Sequence, residues 1–172
     1  MSHKALLIID LQNDYFPNGK FPLWNTAVTL NNIKAAISNA NAQGIPVIHV
    51  QHLANPAAGI APFFNRGTSG AEIHADIMAA APSGEIVVKT FADAFEQTNL
   101  NEVLEKHGID ELLICGMMTQ NCVTHTAISK AAEKYHVSVL TDCCTTVDEM
   151  IHNIALNALG TRVSLVSSDQ AL

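Results

Sequence analysis

Six short, largely apolar runs recur along this chain, each too brief for a helix: Ala5 to Ile9, Pro46 to Val50, Glu85 to Lys89, Leu112 to Cys115, Val137 to Leu140 and Arg162 to Val166. Continuous runs rich in Val, Ile and Leu read as strands covered on both faces, because a strand with one wet face would alternate. Helical spacing fills most of the intervals. From about Thr26 to Gln43, the residues Val28, Ile33, Ala36, Ile37 and Ala40 share one face, and Gly44 stops the helix. Thr98 caps a helix to about His107, and Thr146-Val-Asp-Glu149 reads as a capping box for a helix ending at Gly160. Such alternation implies a three-layer α/β/α fold around a six-stranded parallel sheet. With 172 residues and 48% hydrophobic content, the chain suits one domain, 1–172, with a sizeable core. The segment 51–84 departs from the pattern. It is irregular apart from a short helix near Glu72 to Ala79, and loops of that length usually serve function.

In open parallel sheets, ligands gather beyond the carboxyl ends of the strands, where the strand order reverses. Asp10 and Cys122 both fall just past strand ends, and Lys89 closes its own strand. Around Cys122, Gly116 breaks the fourth strand and helical spacing begins at Thr119, with Val123, Ala127, Ala131 and Ala132 recurring and Thr119 or Asn121 available as an N-cap. This puts Cys122 in a first helical turn, where unpaired N–H groups and the helix dipole lower a thiol's pKa. Such a thiol is a candidate nucleophile. A small buried core cysteine fits the same stretch, and these residues alone leave both open. Asp10 in an Asx-turn and Lys89 as a solvated strand end are the corresponding structural readings. Coincidence of the three at strand ends favours a site.

Other classes are excluded by charge and motif. A formal net charge of −7 argues against a nucleic-acid or anionic-membrane partner, leaving a small-molecule substrate. Met1 to Lys4 precede only five apolar residues before Asp10, too few for a signal peptide or a membrane span. The four cysteines are then expected as reduced thiols in the cytoplasm. No G-x-G-x-x-G, G-x-x-x-x-G-K or G-x-S-x-G occurs, so no dinucleotide fingerprint, P-loop or serine elbow is present and no cofactor is expected. Only 15% charged residues and a mean hydropathy of +0.19 leave less polar surface than a free monomer usually carries, which points to a homo-oligomer, a dimer or larger.

Four stretches together carry a resemblance: Leu6-Leu-Ile-Ile-Asp-Leu-Gln-Asn-Asp-Tyr-Phe, Gly67-Thr-Ser-Gly-Ala-Glu-Ile, Val87-Val-Lys-Thr-Phe-Ala-Asp-Ala-Phe and Gly116-Met-Met-Thr-Gln-Asn-Cys-Val. In this order, over nearly the whole chain, the sequence resembles the isochorismatase-like cysteine hydrolases, which include nicotinamidases, N-carbamoylsarcosine amidohydrolases and isochorismatases. The resemblance implies a sheet order 3-2-1-4-5-6 and a catalytic triad of Asp10, Lys89 and Cys122. It also implies a cis peptide between Met117 and Met118, with the N–H groups of Met118 and Cys122 as an oxyanion hole. One tension follows from that order: Lys89 would start two strand spacings, ~10 Å, from Asp10.

Departures from the pattern bear on substrate. Nicotinamidases resemble one another in an Asp-x-His pair after the second strand that helps to hold a metal. This chain reads His49-Val-Gln-His-Leu-Ala-Asn55 there, so no metal is expected, although His49, His52 and His74 are candidates to meet around one. Gln12, Phe16, Trp24, Phe91, Phe95 and Thr119 lie near the site loops and are candidate pocket lining, with core packing the competing reading for the aromatics. The expected activity is hydrolysis of a small amide or related C–N bond through a thioester. A vinyl-ether hydrolase of the isochorismatase type and a catalytically silent binding member of the fold are the alternatives.

Overall fold

β1 (Lys4–Ile9) is the middle of the molecule, with Ala5 to Ile9 no more than 1% exposed. The computed structural model describes residues 3–172; Met1 and Ser2, at the head of the segment read as too short for a leader, lie outside the described residues. β1 pairs in parallel with β2 (Val47–His52) on one side and β4 (Glu111–Met117) on the other, so that Ile9 stands level with both Val50 and Gly116. β3 (Glu85–Lys89) adds outside β2, then β5 (His136–Thr145) and β6 (Ser164–Val166) add outside β4. The order is therefore β3-β2-β1-β4-β5-β6, all parallel, as the resemblance implies. The chain leaves β1 in one direction through α1 (Thr26–Ala42) and leaves β4 in the other through α4 (Thr124–Ala127). Right-handed crossovers put these on opposite faces and open a crevice between the ends of β1 and β4.

The remaining helices are α2 (Ala75–Ala80), α3 (Leu100–Lys106), α5 (Glu149–Leu159) and α6 (Ser168–Ala171), the last not expected from the sequence. Among the described residues no helix is long and apolar enough to cross a membrane. α1 buries Ile33, Ala36, Ile37 and Ala40 as its spacing requires, whereas Val28 is exposed, its place on the buried face taken by Thr26 and Thr29. The cap of α5 is Asp148, whose carboxylate accepts from the Ile151 N–H at 2.8 Å, and not Thr146, whose backbone instead accepts from the Trp24 N–H. Thr98 does assist α3, accepting from the Leu100 N–H, although the N-cap position is Asn99.

The largest corrections surround Gly116. It does not end β4; the strand runs through it to Met117, with a register shift against β5 between Ile114 and Gly116. Nor does one helix follow. Thr119–Val123 is a π turn with no side-chain cap, α4 lasts four residues, and Ser129 turns the chain out before a 3-10 segment at Lys130–Lys134. Apolar spacing cannot see this, because a π turn and a short α turn bury the same face. Gly116 adopts φ 124°, and a Cβ there would stand 2.1 Å from the Ile9 carbonyl oxygen. Only glycine lets β4 approach β1 so closely. Gly116→Ala is therefore expected to cost more than about 2 kcal/mol, read as a lowered urea midpoint, because both backbone and clash oppose it. A variant as stable as the parent would contradict that close approach.

Candidate active site

Asp10 is the first residue beyond β1. It adopts φ 55°, a left-handed conformation that Asp tolerates better than most residues, and it is fully buried. Lys89 ends β3, two strands away, level with His52 at the end of β2. Its buried stem closes the ~10 Å gap expected from the sheet order, bringing Nζ to 3.0 Å from Asp10 Oδ2. The same ammonium lies 2.8 Å from His52 Nδ1, 3.1 Å from the Phe91 carbonyl oxygen and 3.2 Å from Cys122 Sγ. The structure thus brings Asp10, Lys89 and Cys122 together in one cluster and adds His52, which the sequence offers only as polar packing or a metal ligand. The peptide between Met117 and Met118 is cis. Met118 is the one residue between the end of β4 and the π turn carrying Cys122.

The electrostatics differ from a helix-activated thiol. Burial, then the Asp10 carboxylate, push the Cys122 thiol well above its ordinary range, and Lys89 offsets them only in part. The expectation of a lowered pKa rested on a helix start; a five-residue π turn followed by four α residues supplies little dipole. Those pressures favour the protonated form of the sulfur. Burial works against the Lys89 charge, but Asp10 and then Cys122 more than compensate, and its pKa is raised. Burial and the facing Lys89 hold His52 below its ordinary value, so its ring is neutral. One oxygen of the carboxylate, Asp10 Oδ1, is buried with no partner among the described residues.

Of the candidate pocket residues, two are braces. Gln12 is fully buried; its Nε2 donates to the carbonyls of His52 (2.7 Å) and Ala71 (2.8 Å), and its Oε1 accepts from the His52 N–H (2.8 Å). Thr119 is equally buried and shares a 2.8 Å hydrogen bond with His152 Nδ1. Phe16 packs on the His74 ring at 4.4 Å, and Phe95 stacks on Tyr135 at 6.3 Å. Phe91 is 43% exposed beside the Lys89 ammonium, and Trp24 faces His152 at 6.0 Å, so these two remain at the surface of the site region. Sequence reasoning missed Asp14, a buried carboxylate that accepts from the Phe64 N–H at 2.8 Å and the Lys20 N–H at 3.1 Å, tying the long loop to the segment after β1. Gly70 stands against it, where a Cβ would lie 2.1 Å from Asp14 Oδ1. The Asp-Leu-Gln-Asn-Asp run held that signal, since a second carboxylate among buried residues needs donors.

An Isochorismatase domain profile matches residues 4–171. The chain belongs to the isochorismatase family. Isochorismatase relatives include the uncharacterized isochorismatase family protein YddQ of Bacillus subtilis, 38% identical over 87% of this chain and 81% of that one. A secreted isochorismatase effector, Isc1 of Verticillium dahliae, is 35% identical over 80% of this chain and 70% of its own. An isochorismatase family protein of Desulfovibrio vulgaris superposes with a TM-score of 0.88 at 28% identity, covering 98% of this chain and 96% of that one. Further relatives have hydrolase names, nicotinamidase and maleamate amidohydrolase, and one is named a probable inactive nicotinamidase. The protein is an isochorismatase-family hydrolase.

The three histidines considered for metal do not meet. His49 Nε2 bonds the Ala81 carbonyl, and His74 Nδ1 accepts from the Asp76 N–H at the start of α2. Asp10, His52 and Cys122 do lie with potential ligand atoms within 4.8 Å of one another, but the Lys89 ammonium touches all three. That position is taken by a cation of the chain itself, so a metal would have to displace it. Protein purified without chelator is expected to carry no stoichiometric Zn, Fe or Mn by elemental analysis; about one per chain would contradict this. His49, His52 and His152 are each held below 6.5, burial being the first cause. Below pH 6.5 the unfolded chain takes up protons that the folded chain refuses, so stability is complete above that value and falls as pH drops toward the folded pKa values. The urea midpoint should fall between about pH 7 and about pH 5.5; a flat or rising midpoint would refute the buried neutral imidazoles.

Proposed function

We propose that this chain hydrolyses a small amide or related C–N bond through a thioester on Cys122. The observation that carries the reading is the Lys89 ammonium held between the Asp10 carboxylate and the Cys122 sulfur, all three buried at the carboxyl ends of the strands. Asp10 Oδ1, the oxygen without a partner, takes the proton of the Cys122 thiol as the sulfur attacks the carbonyl carbon. The carbonyl oxygen becomes an oxyanion, received by the N–H groups of Met118 and Cys122. When the C–N bond breaks, the proton on Asp10 passes to the departing amine, leaving a thioester and an ionised carboxylate. Asp10 then removes a proton from water, the hydroxide attacks the thioester, and the proton returns to sulfur as the acid product leaves.

Amide cleavage is favoured over vinyl-ether hydrolysis because the site offers a nucleophile beside its base, which protonation of an ether does not require. A silent member of the fold would have no need of a buried carboxylate and ammonium at a thiol, an arrangement costly to desolvate. The pocket is proposed to be lined on its open side by Phe91 and Trp24. The cytoplasm and a homo-oligomeric assembly are part of the same proposal, the latter resting on the chain's low charged fraction.

A screen of small primary amides, ureido acids and isochorismate tests the reading: Cys122-dependent release of ammonia supports it, and turnover of isochorismate alone, surviving in Cys122→Ala, would replace it. The charges also make a signed prediction. Asp10 raises the thiol pKa and Lys89 lowers it, so Asp10→Asn should speed alkylation of Cys122 by iodoacetamide near neutral pH while abolishing turnover. Lys89→Ala should slow alkylation. Equal effects of the two variants on alkylation would mean that these charges do not govern the thiol.

A further inference from the structure

An ammonium has three hydrogens, and the one on Lys89 has four neighbours that can accept: Asp10 Oδ2, His52 Nδ1, the Phe91 carbonyl oxygen and Cys122 Sγ. Tetrahedral nitrogen cannot serve all four at once. In the resting state the thiol is protonated and the weakest acceptor of the set, so the hydrogens go to Asp10, His52 and Phe91. Sulfur then has the proximity of the charge without a hydrogen of its own.

Resting on the thioester reading above, we propose that His52 is a positioning residue that rations the ammonium. By holding one hydrogen, as Phe91 holds a second, it leaves a single hydrogen to pass from Asp10 Oδ2 to the sulfur while the thiol proton passes to Asp10 Oδ1. No charge is created in the exchange. As Asp10 is neutralised its Oδ2 loosens its hold, and the hydrogen turns to the thiolate as that forms.

The surroundings of His52 fit a fixed acceptor. It ends β2 in register with Lys89, the Leu53 N–H donates to the Lys89 carbonyl, and the Gln12 amide grips both the N–H and the carbonyl of His52. The Phe64 ring packs beside the imidazole at 5.9 Å. The charged and titratable groups facing the ring are Lys89 from β3, Asp10 from the end of β1 and Cys122 from the π turn. A nitrogen 2.8 Å from an ammonium must present its lone pair, so Nδ1 is bare and the proton of the neutral ring is on Nε2. Without the imidazole acceptor, Lys89 would have three hydrogens for Asp10, Phe91 and sulfur together. It would then stabilise carboxylate and thiolate at once, making more thiolate, a poorer nucleophile and a weaker base.

His52→Leu and His52→Asn distinguish this from simple packing, because the Asn side-chain oxygen can stand where Nδ1 stands and never titrates. With iodoacetamide as the probe, His52→Leu should alkylate Cys122 about threefold to tenfold faster near neutral pH. Turnover of any amide found for the parent should fall by at least as much, mainly in kcat. His52→Asn should bring both back toward parent values. Nitrogen NMR of the parent should show Nδ1 bare, with the His52 pKa moving up toward 6.5 in Lys89→Met as the cation is removed. Alkylation and turnover falling together in His52→Leu, no change in either, or Asn failing to rescue would each overturn the proposal. The alkylation and NMR arms need no substrate. A parent that hydrolyses no amide would therefore defeat the thioester reading while these arms still decide the role of His52.

Discussion

A buried ammonium is tolerable only when its hydrogens are taken, and the Lys89 side chain, 0% exposed, draws the ends of three strands and the turn after a fourth into one place to achieve this. Removing one partner of such a pair typically costs about 3–5 kcal/mol, because the charge left behind has no water to turn to. The geometry of the crevice follows from that requirement. Asp10 takes a left-handed conformation immediately after β1, and Phe91 turns its carbonyl back toward the strand it has just left. Gly116 lets β4 press against Ile9 so that the chain can deliver the π turn carrying Cys122. Stability and chemistry here share the same few contacts.

The thiol is the member of the cluster whose state the surroundings contest. Burial and the Asp10 charge favour S–H; Lys89 favours S⁻; the balance leaves a protonated sulfur. A permanent thiolate in this pocket would leave the site with two anions and one cation, an uncompensated charge away from water. Keeping the proton between Cys122 and Asp10 holds the cluster at one negative and one positive charge through the exchange. On the proposed thioester mechanism, activation would be tied to the arrival of substrate, whose carbonyl gives the developing negative charge somewhere to go. The remaining thiols differ in kind: burial pushes Cys143 up to about 12 and holds Cys115 and Cys144 well above the ordinary thiol range, and no described cation stands beside them to reverse it.

The central strands were legible because their continuous apolar runs are buried on both faces, whereas β3, placed to the residue, departs from that expectation: it is an edge strand whose Ile86 and Val88 are 46% and 41% exposed. From those ends, Asp10, Lys89 and Cys122 could be picked out as neighbours before any distance was known. What hydrophobic spacing could not carry was the turn type after β4, since α and π turns bury the same side chains. The thiol pKa differs from the expected lowering for the same reason, because a π turn stands where a helix start would lower it. The sequence offers His52 as polar packing or, less readily, as a metal ligand. A residue ending β2 in register with Lys89 had the same claim to the crevice as Lys89 itself, and the rule that found the others would have found it. Gln12, taken for pocket lining, turned out to brace the backbone because a fully buried amide must satisfy both its oxygen and its nitrogen.

The long segment after β2 is held at its ends and free in its middle. Near β2, Gln12 fixes His52; toward the far end, Asp14 holds the Phe64 N–H, and the Gln12 and Gln51 amides both donate to the Ala71 carbonyl. Between them, Asn55 to Ile60 lie on the surface, with Ile60 95% exposed. Buried polar anchors are costly to change, because each loss strands a donor or a charge, whereas exposed residues change at little cost. Phe64 marks the boundary. It is fully packed against Tyr15, adopts a φ of 59° that an aromatic residue rarely takes, and places its ring beside His52. The segment can therefore vary between residues 55 and 60 and reshape the approach to the crevice, while the anchors on either side keep His52, and through it Lys89, in the place the proposed mechanism needs.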